Sequence, residues 1–173
     1  MTWIIYLVLL SFAIYICYNF SALSLFGTPV SLSNTYYLFK ERKMWQKYLF
    51  PSMMICVACL LMPAWLEISK ESDFQFCAFL TAAGIMFTGM APAFKDDDLT
   101  SKVHTISAIL SAIFAILWII IVAKLWWFIV TWLILILLIA ILTKTLKKGL
   151  TYWLETIAFM STFTSILSYY LIK

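Results

Sequence analysis

Long apolar runs separated by short polar segments dominate this sequence. A bilayer core about 30 Å thick is crossed by about 20 helical residues, and none of the runs shows the alternation of a barrel strand. Six runs reach that length, at residues 2–25, 48–66, 74–94, 101–123, 125–143 and 150–172. The pattern predicts an all-α, polytopic transmembrane helical bundle of six spans in a single domain, residues 1–173.

The boundary between the fourth and fifth runs depends on Lys124. A continuous helix over residues 104–143 would be about twice as long as a bilayer core is thick, at about 1.5 Å per residue. Trp126 and Trp127 lie next to Lys124, and this mixture of residues is typical of a membrane interface. The sequence therefore predicts a tight hairpin at Lys124.

Composition supports a membrane protein. The 173 residues are 65% hydrophobic and 12% charged, whereas soluble domains carry roughly 25% charged residues. The net charge of +4 comes from loop lysines, so we interpret it as a topology signal. We expect membrane lipids and a homo-oligomer as partners, and no nucleic acid.

The basic residues are distributed unequally between the predicted loops. Nine lie in the first, third and fifth loops and three on the other side. By the positive-inside rule the odd loops are cytoplasmic and both termini lie outside, in a bacterial inner membrane. Two tryptophan belts are also predicted, with Trp3, Trp65, Trp126 and Trp127 at the outer interface, and Trp45 and Trp153 at the inner one.

The first loop is the longest. Gly27 and Pro29 are expected to end the first helix, and residues 31–34 to cap a short second one. Its aromatic and basic composition suits an amphipathic segment on the inner leaflet; an ordinary positive-inside loop is the alternative. The predicted inner-leaflet contacts are Lys40, Arg42, Lys43 and Lys47.

Small and polar residues form stripes in three runs. The third run has Cys77, Thr81, Gly84, Thr88 and Ala91 at helical spacing. The fourth has His104, Ser107, Ala108, Ser111, Ala112 and Ala115, and the sixth has Glu155, Ala158, Thr162, Ser165 and Tyr169. Such stripes indicate helix contacts, so we predict that the third, fourth and sixth spans form the interior. The fifth, apolar on nearly every face, is predicted to be peripheral.

Two ionisable residues lie at similar depth within these stripes, His104 and Glu155. Charges inside spans are costly and usually functional, and histidine changes charge near neutral pH. One hypothesis is a His104–Glu155 pair that responds to protons; the other is that both face the inner interface and orient their helices. The candidate polar site comprises His104, Glu155, Ser107, Ser111, Thr162 and Ser165.

Familiar catalytic and metal-binding patterns are missing. A single histidine excludes a multi-histidine zinc site. The four cysteines lie in apolar segments, so the CxxC at Cys56 and Cys59 is interpreted as hydrophobic packing. Asp96, Asp97 and Asp98 are expected to stabilise the start of the fourth helix, with Thr100 or Ser101 as its N-cap.

No metal, cofactor or catalytic residue is therefore predicted. A serine nucleophile with His104 as base is left open, and no single serine is selected. The serines on its predicted side of the membrane are Ser31, Ser33, Ser101 and Ser107.

Three segments carry a resemblance: GTPVSLSNTYYLFKERK, MPAWLEIS and GMAPAFKDDDLTSKVHTISA. Through them the chain resembles uncharacterised small six-span membrane proteins of gut Bacteroidales bacteria and their phages. That resemblance implies the six-span topology and supplies no catalytic residues. The chain is also loosely similar to membrane hydrolases that combine serine, aspartate and several histidines, but its single histidine argues against metal-dependent hydrolysis.

Three functions are compatible with these observations. The first is a non-enzymatic protein that acts by association in the membrane, which the lack of a catalytic set favours. The second is a small oligomeric channel or proton-coupled transporter that uses His104 and Glu155. The third is a membrane-embedded lipid hydrolase.

Overall fold

A computed structural model describes residues 2–172, which form seven α-helices and no strands. The helices are α1 (Thr2–Phe26), α2 (Thr35–Arg42), α3 (Leu49–Ser69), α4 (Gln75–Met90), α5 (Asp98–Trp118), α6 (Trp127–Leu142) and α7 (Leu146–Ile172). A 3₁₀ turn, Met44–Tyr48, precedes α3, and a π-helical turn, Ile119–Ala123, follows α5. The predicted all-α class is confirmed.

Three helical segments are long and apolar enough to cross a membrane: Trp3–Phe26, Met44–Ser69 and Asp98–Ala123. Two apolar helices are shorter, since α4 and α6 have 16 residues each. At about 1.5 Å per residue each is about 24 Å long. The seventh helix, α7, has 27 residues. Each of the six predicted runs coincides with one long helix of the structure.

The first loop folds back against the bundle. Gly27 ends α1 with a φ of 67°, and its N–H donates to the carbonyl of Leu23 at 2.9 Å. The short helix α2 then packs through Phe39, whose ring contacts those of Tyr18 and Phe26. Its N-cap residue, Asn34, makes no side-chain cap bond. The first loop is therefore a packed part of the protein.

The helix is broken at Lys124, at the position where the sequence predicts a hairpin, and the helix that follows packs mainly on α7. Lys124 has left-handed backbone angles, φ 57° and ψ 31°, and α6 begins three residues later. The Leu125 N–H donates to the carbonyl of Ile119 at 3.1 Å, which closes the turn. A single long helix through this segment is thereby excluded.

The interior differs from the prediction in one respect, because α3 also belongs to it and is buried more extensively than α5. Ten residues of α3 are buried, compared with four of α5. Its large apolar side chains fill the space between α1 and α4, and Trp65 is fully buried. The stripes of small residues did not identify α3, because a buried helix can also pack closely through large apolar side chains.

Helix α4 lies between α3 and α5 and approaches both closely. A Cβ on Gly84 would lie 2.7 Å from the Ser111 Cβ, and one on Gly89 would lie 2.7 Å from the Met54 Cβ. The predicted α4 stripe is buried throughout. Helix α6 packs mainly on α7 and has only Ile136 and Ala140 buried among its described residues, which agrees with a peripheral position.

Two tryptophans differ from the predicted belts. Trp65 is 0% exposed and meets Trp118 edge to face, with 6.5 Å between ring centroids. Trp153 is 8% exposed and donates to the Thr145 hydroxyl at 3.1 Å. Both indoles are therefore turned into the protein. The outward-facing tryptophans are Trp3, Trp45, Trp126 and Trp127.

The start of α5 also differs from the prediction. Its N-cap is Asp97, which accepts hydrogen bonds from the Thr100 N–H and hydroxyl, both at 2.9 Å. The helix thus begins earlier than a cap at Thr100 or Ser101 would allow. These bonds, the one from the backbone above all, hold the pKa of the Asp97 carboxyl below its usual value. Asp96 lies 3.7 Å from the Lys40 ammonium.

Candidate functional site

The loop between α1 and α2 is attached to the first turns of α7. Gly149 has non-helical angles, and a Cβ there would lie 2.7 Å from the Thr28 side chain. The Tyr152 N–H, freed by this kink, donates to the Val30 carbonyl at 3.2 Å. One turn further on, the Glu155 carboxylate accepts the N–H of Leu32 at 2.6 Å. Helix α7 therefore fixes the position of the loop.

The next loop residue, Ser33, contacts the single histidine. The Ser33 Oγ lies 2.9 Å from Nε2 of His104, and the two residues are 4% and 5% exposed. The other ring nitrogen, Nδ1, lies 2.9 Å from the Ala91 carbonyl and 3.1 Å from that of Thr88. Carbonyl oxygens only accept, so in the neutral imidazole Nδ1 carries the proton. The Nε2 atom is then the acceptor for the Ser33 hydroxyl.

Two aromatic side chains contact the imidazole ring of His104, in addition to the polar partners of its two nitrogens. Phe94 stacks on His104 with 4.6 Å between ring centroids and 21° between planes, and Phe50 lies 6.4 Å away. Phe94 follows the end of α4, whose last carbonyls hold Nδ1. The same segment therefore sets both the position and the tautomer of the ring.

A cavity of about 70 Å³ begins at this loop and extends between the helices. That volume has room for several water molecules. On α4, α5 and α7 the lining extends over seven positions, or about 10 Å along each helix axis. The lining residues are Leu32, Ser33, Phe50, Met54, Leu61, Trp65, Thr81, Ile85, Thr88, Ala108, Ser111, Ala112, Ala115, Glu155, Ala158, Phe159 and Thr162.

The wall of the cavity is least buried where α5 and α7 form it. Ser111 and Ala112 on α5, and Ala158 and Phe159 on α7, line the cavity and remain partly exposed. On the opposite side, the lining residues of α3 and α4 are buried. Access is therefore easiest from the side, which is the direction of the lipid phase if these helices cross a membrane.

The hypothesis of a His104–Glu155 pair is not met: within the described part of the chain no ion pair joins the two residues. Instead they contact consecutive loop residues, Leu32 and Ser33. The alternative, that both turn outward, does not describe His104, which is buried, or Glu155, which is half-buried and lines the cavity.

The remaining site predictions have mixed outcomes. Ser111 and Thr162 line the cavity. Ser107 lies behind it, where its hydroxyl is 3.1 Å from that of Thr88. Ser165 is fully buried outside the lining and has no hydrogen-bond partner among the described residues. Among the predicted leaflet contacts, Arg42 and Lys43 are exposed, whereas Lys40 and Lys47 are half-buried.

The sequence interpretation missed the polar face of α1. The Tyr152 hydroxyl donates to the Asn19 side chain at 3.1 Å, and the Tyr18 hydroxyl meets that of Thr35. The Ser11 hydroxyl reaches the Val57 carbonyl at 3.3 Å. These α1 residues recur at helical spacing, and that signal could have identified them.

Within the described residues no group of three or more His, Cys, Asp or Glu side chains is arranged to hold an ion. Cys17, Cys56 and Cys59 are exposed and unpaired, and Cys77 is buried.

Comparison of the chain with protein-family models, with curated proteins and with solved structures gave no match. The chemistry of the site therefore rests on its geometry. A serine hydroxyl that donates to Nε2, with Nδ1–H held by an acceptor, is the arrangement that activates a serine nucleophile. Here backbone carbonyls orient the base, in the position that a carboxylate occupies in a triad.

Proposed function

We propose that the protein is a membrane-embedded hydrolase that cleaves acyl esters or amides of lipid-like molecules. Ser33 is the nucleophile and His104 is the general base. The observation that carries the proposal is the buried 2.9 Å contact between the Ser33 Oγ and the His104 Nε2 at the wall of the cavity. Of the four serines left open by the sequence, Ser33 is the one whose hydroxyl contacts the imidazole.

The reaction follows from the positions of the protons. His104 Nε2 takes the hydroxyl proton as Ser33 Oγ attacks the substrate carbonyl carbon, and the same proton passes to the leaving alcohol or amine. A water molecule then gives a proton to Nε2 as it attacks the acyl-serine. Nε2 passes this proton to the Ser33 Oγ as the bond to the acyl carbon breaks, which releases the carboxylic acid and restores the Ser33 hydroxyl. Throughout, the carbonyls of Ala91 and Thr88 stabilise the Nδ1–H of the imidazolium that forms.

The cavity suits a substrate with an apolar chain. Its walls are mainly aliphatic and aromatic, and access is easiest from the side, where α5 and α7 form its least buried wall. Pockets of this kind gain affinity by burying apolar surface, while a few polar groups fix orientation. Lipid-derived acyl compounds meet both requirements.

The proposal includes a topology. We place six spans in a bacterial inner membrane with both termini outside, because nine basic residues lie on the side of the odd loops and three on the other. In this orientation Ser33 and His104 lie toward the cytoplasmic leaflet. The substrate would then come from that leaflet.

Two features favour hydrolysis over association alone. A protein that acts only by association needs neither a cavity nor a serine held against a histidine. Here one cavity is lined by Ser33 and Glu155, and His104 lies directly behind Ser33. Buried polar groups at such a cavity are costly, so they indicate a function.

A proton-coupled transporter is the second candidate, favoured by the position of Glu155 in the cavity wall. A transporter would give a pH-dependent solute flux in liposomes, and Glu155→Gln and His104→Ala would each change that flux. A hydrolase would release product from its substrate without any solute flux. Assaying one liposome preparation for both separates the two functions.

An alkyl fluorophosphonate tests the proposed function, because it reacts with activated serines. With the full-length protein in lipid nanodiscs, we expect labelling of the peptide that contains Ser33, identified by mass spectrometry. Ser33→Ala should abolish the label and His104→Ala should reduce it strongly. Ser101→Ala is the matched control, because Ser101 lies outside the cavity lining. An unlabelled Ser33 in folded protein, or equal labelling in His104→Ala, would reject the proposal.

A further inference from the structure

Glu155 is an acid without a cationic partner. It lines a largely apolar cavity, and within the described part of the chain no lysine, arginine or histidine forms an ion pair with it. Among the described residues its hydrogen bond comes from the Leu32 N–H at 2.6 Å. A carboxylate removed from water is costly unless it takes up a proton or meets a compensating charge, and a bound cation would supply that charge.

The cavity hydroxyls point to the same kind of ligand. Thr81, Thr88, Ser111 and Thr162 each donate their proton to a carbonyl of their own helix, at 2.8 to 2.9 Å. Their oxygen lone pairs are left to accept. Together with Glu155 they give the cavity a surplus of acceptors, which suits a ligand with several N–H donors.

The lining on α3 ends at a buried tryptophan. Trp65 is fully buried, and its indole N–H has no hydrogen-bond partner in the described part of the chain. Trp65 lies on α3 fifteen positions from Phe50, which marks the Ser33 end, or about 22 Å along the axis. The end of the cavity at the loop is thus lined by Glu155 and Ser33, and the far end on α3 is formed by the buried apolar and aromatic side chains of Leu61 and Trp65.

We infer that the cavity binds an amphiphile with a primary ammonium head and a single apolar chain. The head pairs with Glu155 beside the loop that carries Ser33, and the chain extends toward Trp65. The inference also names the substrate class for the proposed hydrolysis, an acyl compound that bears a primary amine, and in this respect it rests on that proposal. As a statement about binding, it is tested without any reaction.

The test compares two photoactivatable probes of equal chain length, a primary alkylamine and the corresponding alkyl carboxylate. The full-length protein in zwitterionic-lipid nanodiscs is crosslinked with each, and the modified peptides are mapped. We expect crosslinks on the cavity faces of α5 and α7, with the amine at least about tenfold more efficient than the carboxylate. Equal crosslinking by the two probes, or crosslinks elsewhere only, would overturn the inference.

Two variants test separately the charge of Glu155 and the space inside the cavity. Glu155→Gln keeps an acceptor for the Leu32 N–H and removes the charge, so the preference for the amine should disappear. A preference that persists in this variant contradicts the inference. Should Glu155→Gln fold poorly, Ala112→Leu serves instead: it fills the cavity, so crosslinking by the amine probe should fall, and undiminished crosslinking contradicts the inference.

Leu150→Ala, whose side chain is exposed and lies outside the cavity lining, should bind the amine as the unaltered protein does. Amine binding by the unaltered protein together with no fluorophosphonate labelling of its Ser33 would reject hydrolysis and leave the binding site. Fluorophosphonate labelling of Ser33 without a preference for the amine probe would reject the ammonium site and leave the proposed hydrolysis. The two proposals can therefore fail separately.

Discussion

Ser33 and His104 are 71 positions apart in the chain, and their Oγ and Nε2 atoms lie 2.9 Å apart inside the protein. The contact depends on two supports. Helix α7 holds the loop that carries Ser33, through Glu155 and Leu32, and the end of α4 holds the imidazole. The predictions below follow from this arrangement and from the helix contacts around it.

Removing the base should slow hydrolysis. We expect His104→Ala to lower kcat/KM for a medium-chain p-nitrophenyl ester by about 10²–10⁴-fold, and Ser33→Ala to remove acyl-enzyme formation. Because only the neutral imidazole accepts the serine proton, the rate should fall as the pH falls. Ser101→Ala should match the unaltered protein. A rate that is independent of His104 contradicts the assignment of the base.

Gly149 should be sensitive to any side chain. A Cβ there would lie 2.7 Å from the Thr28 Cγ2 and 3.0 Å from the Pro29 carbonyl oxygen, so Gly149→Ala displaces the loop or α7. We expect a loss of about 1–3 kcal/mol in stability and slower labelling of Ser33. The control is Leu150→Ala, whose side chain is 49% exposed. Equal labelling rates in the two variants would show that the loop tolerates the displacement.

A buried hydrogen bond links α3 to the end of α5. The Trp118 indole N–H donates to the Ser69 Oγ at 2.7 Å, and that hydroxyl donates to the Trp65 carbonyl at 2.7 Å. Ser69→Ala leaves the indole N–H without its acceptor. We expect a loss of about 1 kcal/mol, measured by unfolding in detergent mixtures.

The control for this bond is Thr131→Ala. The Thr131 hydroxyl is exposed and donates to a carbonyl of its own helix. Its removal should change stability less than Ser69→Ala does. A larger effect at Thr131 would contradict the importance of the contact between α3 and α5.

The Asp97 cap should make stability depend on pH. Its pKa is lowered by hydrogen bonds from Thr100, so the folded state favours the carboxylate. The stabilisation is fully present above the unfolded-state pKa, about 3.9, and is lost as the pH falls through the lower folded-state value. Asp97→Asn retains a cap that does not titrate, so the difference in Tm between the two proteins should shrink on acidification. A constant difference would contradict this account.

Thiol labelling tests the proposed topology. Single cysteines placed at Lys43, Lys147 and Lys70 in a protein without its own cysteines are treated with a membrane-impermeant maleimide. Lys43 and Lys147 should react only after the membrane is permeabilised, and Lys70 should react in intact cells or spheroplasts. The reverse pattern would invert the orientation.

The sequence by itself determined the helices. Apolar runs of about 20 residues have one stable backbone arrangement in lipid, and local signals placed the ends at Gly27 and Lys124 correctly. The buried stripe of α4 also followed from spacing, because residues three and four apart share a helix face. These features depend on neighbours in sequence.

Tertiary structure decided the site. The central position of α3, the burial of Trp65 and the choice of Ser33 among four serines all depend on which helices meet. The similar depth of His104 and Glu155 made a direct pair one of two hypotheses, but depth does not specify which face of one helix meets another. In the structure the loop between α1 and α2 separates them, because its Leu32 bonds to Glu155 and its Ser33 contacts His104. Contacts between segments so distant in the chain are set by packing, and helical periodicity carries no information about them.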